Sequence, residues 1–257
     1  MDWFGATALF GGGLLAGTIN AMAGGGSLLT LPLLVFLGLP ATEANASNRV
    51  AVLANSVTSA AGYHQSGHLP WRTVRLLLVP SLVGSLVGAW VATLISDDAF
   101  RPVIAVVLLA MAALLVFRPS ALDPRGGGEP LPPLAEVLLF LGIGFYGGFI
   151  QAGIGFFILA ATVRGAGLDL IRANGVKVAL TLALTLVALG VFIAAGQVRW
   201  APALVLAAGN GIGGYFGARL AVARGAGWVR WVVVVMVVAS ALELLGIYRA
   251  IGRLLGL

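Results

Sequence analysis

Long apolar stretches, separated by short polar ones, make up most of this sequence of 257 residues. A helix of about 20 apolar residues is long enough to cross the roughly 30 Å hydrocarbon core of a bilayer. We therefore expect an all-α polytopic membrane protein with about eight to ten hydrophobic segments, of which two are too short to cross alone. The segments lie near residues 4–22, 27–39, 47–64, 73–95 and 99–117, and near residues 134–150, 155–167, 173–195, 200–222 and 228–248.

The second half of the chain resembles the first. Each half holds five segments, and in each the second segment is short and follows a glycine-rich break. We therefore expect two homologous halves, residues 1–118 and 133–257, joined by a Pro- and Gly-rich linker at residues 119–132. At an offset of 129 positions the matches are Asn45 with Asn174, Gly67 with Gly196, Trp71 with Trp200, Gly84 with Gly213, Gly88 with Gly217 and Arg101 with Arg230, and at an offset of 131 they are Gly17, Asn20, Ala21 and Gly24 with Gly148, Gln151, Ala152 and Gly155.

The basic residues leave the orientation of the halves open. The positive-inside rule is obeyed best if the two short segments do not cross, which places both termini in the cytoplasm and makes the repeats parallel. The halves are inverted repeats if every segment crosses the membrane. They are also inverted repeats if the first two segments of each half form a hairpin that returns to the side of the membrane on which it began. We favour inverted repeats because many transporters use them.

The composition supports the membrane assignment, since the chain is 60% hydrophobic and only 9% charged. There is no cysteine and there are only two histidines, so we expect neither a metal site nor a bound cofactor. The net charge is +6, but the arginines mostly lie between apolar runs. They therefore indicate contacts with the lipid bilayer and its headgroups, and no nucleic acid partner.

The first break interrupts an apolar stretch with the residues Asn20, Gly24, Gly25, Gly26 and Ser27. Irregular backbone survives at membrane depth only inside protein or beside a water-filled cavity. The segment that follows the break presents free N–H groups and the positive end of its dipole, which together favour an anion. The side chains of Asn20 and Ser27 add an amide and a hydroxyl donor.

A second break, at Gln151, Gly153 and Gly155, occupies the matching place in the second half. Duplicated halves with short, glycine-broken segments indicate a substrate site near the bilayer midplane, so these residues are candidates for the same anion site. The alternative is a packing cluster of glycines that holds no ligand. We prefer that alternative for the two GxxxG motifs that begin at Gly84 and Gly213.

Lys177 is the only lysine in the chain, and it lies near the start of a long apolar segment. An ionisable residue inside a membrane segment is a functional candidate. The alternative is that Lys177 reaches the lipid headgroups, because it lies within about two turns of the segment start. Its counterpart in the first half is Asn48, with Arg49 beside it, so each half supplies a cation that suits an anionic substrate.

Other polar residues in the segments are weaker candidates. Glu243 is the carboxylate that lies inside a segment, and we expect it to face an arginine near the membrane edge rather than to carry protons. We expect Asn55, Thr58, Thr181 and Thr185, on matching long helices, to bond mostly to their own helix backbone.

The stretch from Gly11 to Tyr63, with GTINAMAGGGSLLTLP followed by ATEANASNRV, resembles the N-terminal motif region of the TauE/SafE sulfite exporter family. In that region a glycine turn is followed by a proline and by a stretch with alanine and asparagine that opens the next helix. The resemblance implies that Gly24–Gly26 and Asn45–Arg49 are motif positions. The second half departs from the pattern, because GIGFF stands in place of the glycine turn, so a shared site would be asymmetric.

These observations predict a multi-pass protein of the inner membrane that is a secondary transporter. The physical argument indicates a small anion at the midplane, and the resemblance implies that it is sulfite or an organosulfonate. Export of a monoanion is driven by a negative-inside potential, worth about 2.3 kcal/mol per 100 mV, with protons as a possible coupling ion. An anion channel is the alternative, and a membrane enzyme or assembly subunit is the third hypothesis. An enzyme is not expected, because the hydrophobic segments contain no paired acids, no histidine cluster and no thiol.

Overall fold

The computed structural model describes residues 2–117 and 131–223, and these residues form helices without strands. Helix lengths follow from the apolar segments, and the polar or Pro/Gly-containing stretches between them become the turns. The helices are α1 (Trp3–Ala23), α2 (Ser27–Phe36), α3 (Ala41–Gln65), α4 (Trp71–Thr93), α5 (Asp97–Phe117), α6 (Pro133–Phe149), α7 (Ile154–Ala166), α8 (Leu170–Ala194) and α9 (Trp200–Ala223).

The predicted segments match these helices closely, with one informative difference. Helix α3 begins at Ala41, six residues before the predicted segment, and so includes the polar stretch that contains Asn45 and Arg49. That stretch is helical and buried because its polar side chains find partners inside the protein. Pro32, the proline that follows the first glycine break, lies inside α2. The tenth predicted segment, with Arg230 and Glu243, lies outside the described residues, as does most of the predicted linker.

Three helices within this part of the chain are long and apolar enough to cross a membrane: Trp3–Met22, Trp71–Thr93 and Leu170–Ala194. Helix α4 shows how such a helix meets lipid. Its Leu76, Val79 and Trp90 are each more than half exposed, whereas Ser81 and Gly84 on its other side are buried. An apolar surface directed outward suits hydrocarbon, and small residues directed inward permit close packing.

Helices of the first half pack mainly against helices of the second half. Helix α1 packs along α9, and α6 packs along α4. Helix α3 packs against both α8 and α9, and α8 in turn packs against both α3 and α4. Each pairing thus has a counterpart in which the halves change places, which agrees with two homologous halves. The pairing itself holds for either orientation, so inverted repeats stay a prediction.

Glycines form the surfaces on which these helices meet. A methyl group on Gly84 or Gly88 of α4 would collide with the backbone of α6. A methyl group on Gly213 or Gly217 of α9 would collide with the backbone of α1 in the same way. Both GxxxG motifs are therefore helix contacts, as predicted.

Candidate functional site

The first break joins α1 to α2. Helix α1 ends at Ala23 and is capped by Gly24, which has a left-handed conformation (φ 83°) and donates its N–H to the carbonyl oxygen of Asn20 at 2.9 Å. The cap residue before α2 is Gly26, which as a glycine has no side chain and adds no hydrogen bond to the helix start. Among the described residues, the N–H groups of Gly25 and Gly26 have no acceptor. The break therefore leaves free donors beside the positive end of α2.

The second break joins α6 to α7. Gln151 has a positive φ of 66°, which is unusual for a residue with a side chain, and Gly153 follows with φ 71°. Both polar atoms of the Gln151 amide are hydrogen-bonded: Oε1 accepts a bond from Arg49 at 3.0 Å, and Nε2 donates to Thr185 at 2.6 Å. These bonds explain how a glutamine keeps a conformation that favours glycine.

The two breaks touch each other. A methyl group on Gly24 would lie 2.6 Å from the Cα atom of Gly155, in the first turn of α7. Because neither residue has a side chain, the end of α1 and the start of α7 come into backbone contact. The starts of the two short helices, α2 and α7, are thereby brought to one place in the protein.

A cavity lies at this contact. The cavity is narrow, with space for about one water molecule, so admission of a larger anion requires the surrounding helices to move apart. Lys177 is the one charged side chain among its lining residues in the described part of the chain. The lining residues are Asn20, Gly24, Ser27, Val52, Asn55, Ser56, Gln151, Ile154, Gly155, Lys177, Val178 and Thr181.

Lys177 is 3% exposed and does not reach the surface, so its interpretation as a headgroup contact is wrong. Its Nζ donates to Asn174 Oδ1 at 2.7 Å, to the carbonyl oxygen of Asn20 at 3.1 Å and to that of Ala21 at 3.4 Å. Three oxygen acceptors match the three donors of an ammonium group. Both carbonyls lie at the C-terminal end of α1, where a positive charge is favourable.

Arg49 makes the corresponding contact at the end of α6. It is fully buried, and its guanidinium donates to the carbonyl oxygens of Gly147 and of Gly148, the latter at 2.7 Å. The guanidinium also lies over the ring of Phe192, with 5.3 Å between the Cζ atom and the ring centroid. Unlike Lys177, Arg49 does not line the cavity, because its donors are directed to α6 and to Gln151.

These contacts show how the two breaks correspond. Lys177 holds the carbonyls of Asn20 and Ala21, and Arg49 holds those of Gly147 and Gly148, which lie 127 positions later. Gly24 and Gln151, also 127 apart, are the first residues with positive φ after their helices. The predicted offset of 131, which paired Asn20 with Gln151, is therefore wrong by four residues. Four residues are about one helical turn, so apolar and glycine positions match almost as well in either register.

The structure brings together six of the predicted site residues and leaves five away from the cavity. Asn48 is buried nearby, where its Oδ1 accepts a bond from Thr30 at 2.5 Å. Gly25 faces the ring of Phe156. The residues that line the cavity are Asn20, Gly24, Ser27, Gln151, Gly155 and Lys177, and those that do not are Gly25, Gly26, Asn48, Arg49 and Gly153.

Three polar lining residues were missed or misread. Ser56 was not considered, and Thr181 was expected to bond to its own helix, yet no such bond forms at its hydroxyl in the described structure. Asn55 donates to the carbonyl oxygens of Gly17 and Asn210 on other helices. Thr58 does bond to its own helix, as expected. The spacing of four from Lys177 to Thr181 was the available signal, since such residues share a helix face.

Comparisons with known proteins find one family and several probable membrane transporters. The family model described as Sulfite exporter TauE/SafE matches residues 9–244. Probable membrane transporter protein ORF9 of Sinorhizobium sp is 28% identical over 237 residues, which cover 92% of this chain and 91% of that protein. A probable membrane transporter protein of Haemophilus influenzae is 26% identical, covering 89% of both chains. Probable membrane transporter protein YfcA of Escherichia coli is 27% identical, covering 92% of this chain and 88% of that protein. No solved structure matches.

Proposed function

Since this chain belongs to the sulfite exporter TauE/SafE family and is a multi-pass membrane transporter, we propose that it exports a small sulfur-containing anion, sulfite or an organosulfonate, as a secondary transporter of the inner membrane. The family description supports the sulfur chemistry. The sequence contains no GxxxxGK[ST] motif with which this chain would itself hydrolyse ATP, which supports secondary transport.

The observation that carries the proposal is the convergence of Lys177 and the two glycine breaks on one cavity. Short helices that start at a midplane break place their positive ends toward an anionic group in other transporters. Here α2 and α7 start at the breaks, and Lys177 adds a basic side chain with hydrogen-bond donors. No acidic side chain lies among the lining residues in the described ranges, so the cavity attracts anions.

Binding of the anion follows from the donors present. The longest contact of Lys177, 3.4 Å to the carbonyl oxygen of Ala21, is the one that an anion oxygen replaces at least cost. Ser27, at the start of α2, supplies a further donor. Because the cavity is narrow, uptake of the anion requires movement of the helices, which is the behaviour of a carrier rather than of an open channel. The membrane potential drives export, with or without coupled protons.

Flux into and out of proteoliposomes tests this function. The panel comprises sulfite, thiosulfate, methanesulfonate, sulfate and acetate, each offered with and without a membrane potential. We expect saturable flux of sulfite or the sulfonate, with counterflow when the opposite side is preloaded. Flux that rises linearly with concentration and shows no counterflow would indicate a channel instead, and absence of flux for every sulfur anion would remove the proposal.

A further inference from the structure

Three hydroxyl groups line the cavity without a hydrogen-bond partner among the described residues. They belong to Ser27 at the start of α2, Ser56 in α3 and Thr181 in α8, and each residue is at most 6% exposed. Helical Ser and Thr usually bond to a carbonyl of the preceding turn. Ser81 and Thr162 do so here, at 2.7 Å in both cases. Ser59 also lacks a partner, but it does not line the cavity.

Free hydroxyls from three different helices indicate a ligand that accepts hydrogen bonds. A hydroxyl that faces an internal cavity and has no protein partner makes its hydrogen bonds to a ligand or to water in that cavity. Carboxylate, sulfonate and similar oxygens accept such bonds from all sides. Ser56 and Thr181 therefore extend the donor set beyond the glycine breaks and Lys177.

The charge of the ligand is limited by the single cation. Lys177 is the one charged residue that lines the cavity, and Arg49 is directed away to the carbonyls at the end of α6. The positive ends of α2 and α7 carry only partial charges, and the negative C-terminal end of α1 beside Lys177 offsets part of them. A dianion would therefore leave negative charge without compensation inside the membrane, which is costly. A monoanion is neutralised by Lys177 alone.

We propose that this cavity binds a singly charged oxyanion, to which Ser56 and Thr181 donate hydrogen bonds and Lys177 supplies the counter-charge. The inference rests on the proposed function and narrows it to hydrogensulfite, sulfonates and comparable monoanions. It excludes sulfate and other dianions, although these carry the same sulfur–oxygen groups. The hydroxyls thereby select for oxygen acceptors, and the single lysine selects for charge.

Binding to the purified full-length protein in detergent, measured by isothermal titration calorimetry, tests the charge. The probes are methanesulfonate and nitrate as monoanions, and sulfate and thiosulfate as dianions. We expect methanesulfonate to bind at least tenfold more tightly than sulfate, which corresponds to about 1.4 kcal/mol. Equal or tighter binding of sulfate overturns the inference, as does absence of binding for all four anions.

Substitution tests the hydroxyls. Ser56→Ala and Thr181→Val each remove one donor and should weaken methanesulfonate binding about tenfold, whereas Thr181→Ser keeps the hydroxyl and should bind normally. Ser81→Ala and Thr162→Val are controls that remove buried hydroxyls away from the cavity. If Ser56→Ala and Thr181→Val bind like these controls, the hydroxyls are not ligands.

The same anions in proteoliposomes separate this inference from the proposed function. Transport of both methanesulfonate and sulfate would keep the exporter function and reject the charge limit. Transport of nitrate, without transport of any sulfur anion, would reject the sulfur substrate and keep the monoanion site.

Discussion

Gly24 and Gly155 lie in backbone contact, although they are 131 positions apart in the sequence, and this contact joins the end of α1 to the start of α7. A methyl group on either residue would overlap the backbone of the other. The contact brings one glycine break against the other, and it places Lys177 next to both, because its Cδ atom would lie 3.4 Å from that methyl group on Gly24. The proposed site depends on this relationship, which makes it the first target for mutation.

Gly155→Ala should lower the transport rate and destabilise the protein by about 1–3 kcal/mol, because the added methyl group overpacks the contact with Gly24. Gly142→Ala is the matched control, since a methyl group there has nothing within 4 Å. Thermal unfolding in detergent and flux in liposomes measure the two effects. Equal behaviour of both variants would show that close contact of the breaks is not needed.

Gly24→Ala adds backbone strain to the same overlap, since Gly24 has a φ of 83°. Gly38→Ala separates the two causes, because Gly38 has a φ of 91° but open space around it. We expect Gly38→Ala to cost about 1 kcal/mol from strain alone, and Gly24→Ala to cost more and to stop transport. Equal unfolding temperatures for the two variants would contradict this.

Lys177→Met should reduce sulfonate transport more than tenfold, while Lys177→Arg should retain part of it, because the cation is needed for the anion and for the carbonyls at the end of α1. Arg172→Met is the control on the same helix, since Arg172 is an exposed cation paired with Asp169. Initial rates of flux, normalised to folded protein, give the comparison. Transport by Lys177→Met at the rate of Arg172→Met would confine Lys177 to a structural role.

Thr185→Val should destabilise the protein by about 1–3 kcal/mol, because it removes the acceptor of the buried Gln151 Nε2 group. Thr162→Val is the control: it is equally buried, but its hydroxyl bonds to carbonyls of its own helix. Loss of the Thr162 hydroxyl therefore leaves no buried side chain without its hydrogen-bond partner. The unfolding temperature of Thr185→Val should be clearly lower than that of Thr162→Val. The reverse order would contradict the role given to Gln151.

Gly84→Ala and Gly213→Ala should each destabilise the protein by about 1–3 kcal/mol, because both glycines lie against the backbone of a helix from the other half. Gly190→Ala, in α8 with open space around it, should instead stabilise the protein slightly. Unfolding in detergent provides the measurement. A large effect at only one of the two contact glycines would show that the equivalent contacts differ in importance.

Helix boundaries and candidate residues were largely predictable from the sequence. Apolar length determines which segments are helical in a membrane, and glycine breaks with nearby amides, together with one lysine, are rare enough there to be noticed. Six of the eleven predicted site residues line the cavity for this reason. Asn48 and Arg49 occupy the place in the first half that Lys177 occupies in the second. In the structure, however, Asn48 bonds to Thr30 and Arg49 bonds to carbonyl oxygens at the end of α6.

The properties that required the structure all depend on contacts between distant helices. The register of the two breaks was misjudged by one turn, because a shift of four residues leaves a helical pattern almost unchanged. The spacing from Lys177 indicated the position of Thr181, but the sequence did not show that the hydroxyls of Ser56 and Thr181 lack a local partner, because a hydroxyl in a helix usually bonds to a carbonyl of its own helix. Composition and spacing thus establish a helical membrane protein with paired breaks, whereas the packing of α3 and α8 between the halves decides which polar groups meet at the cavity.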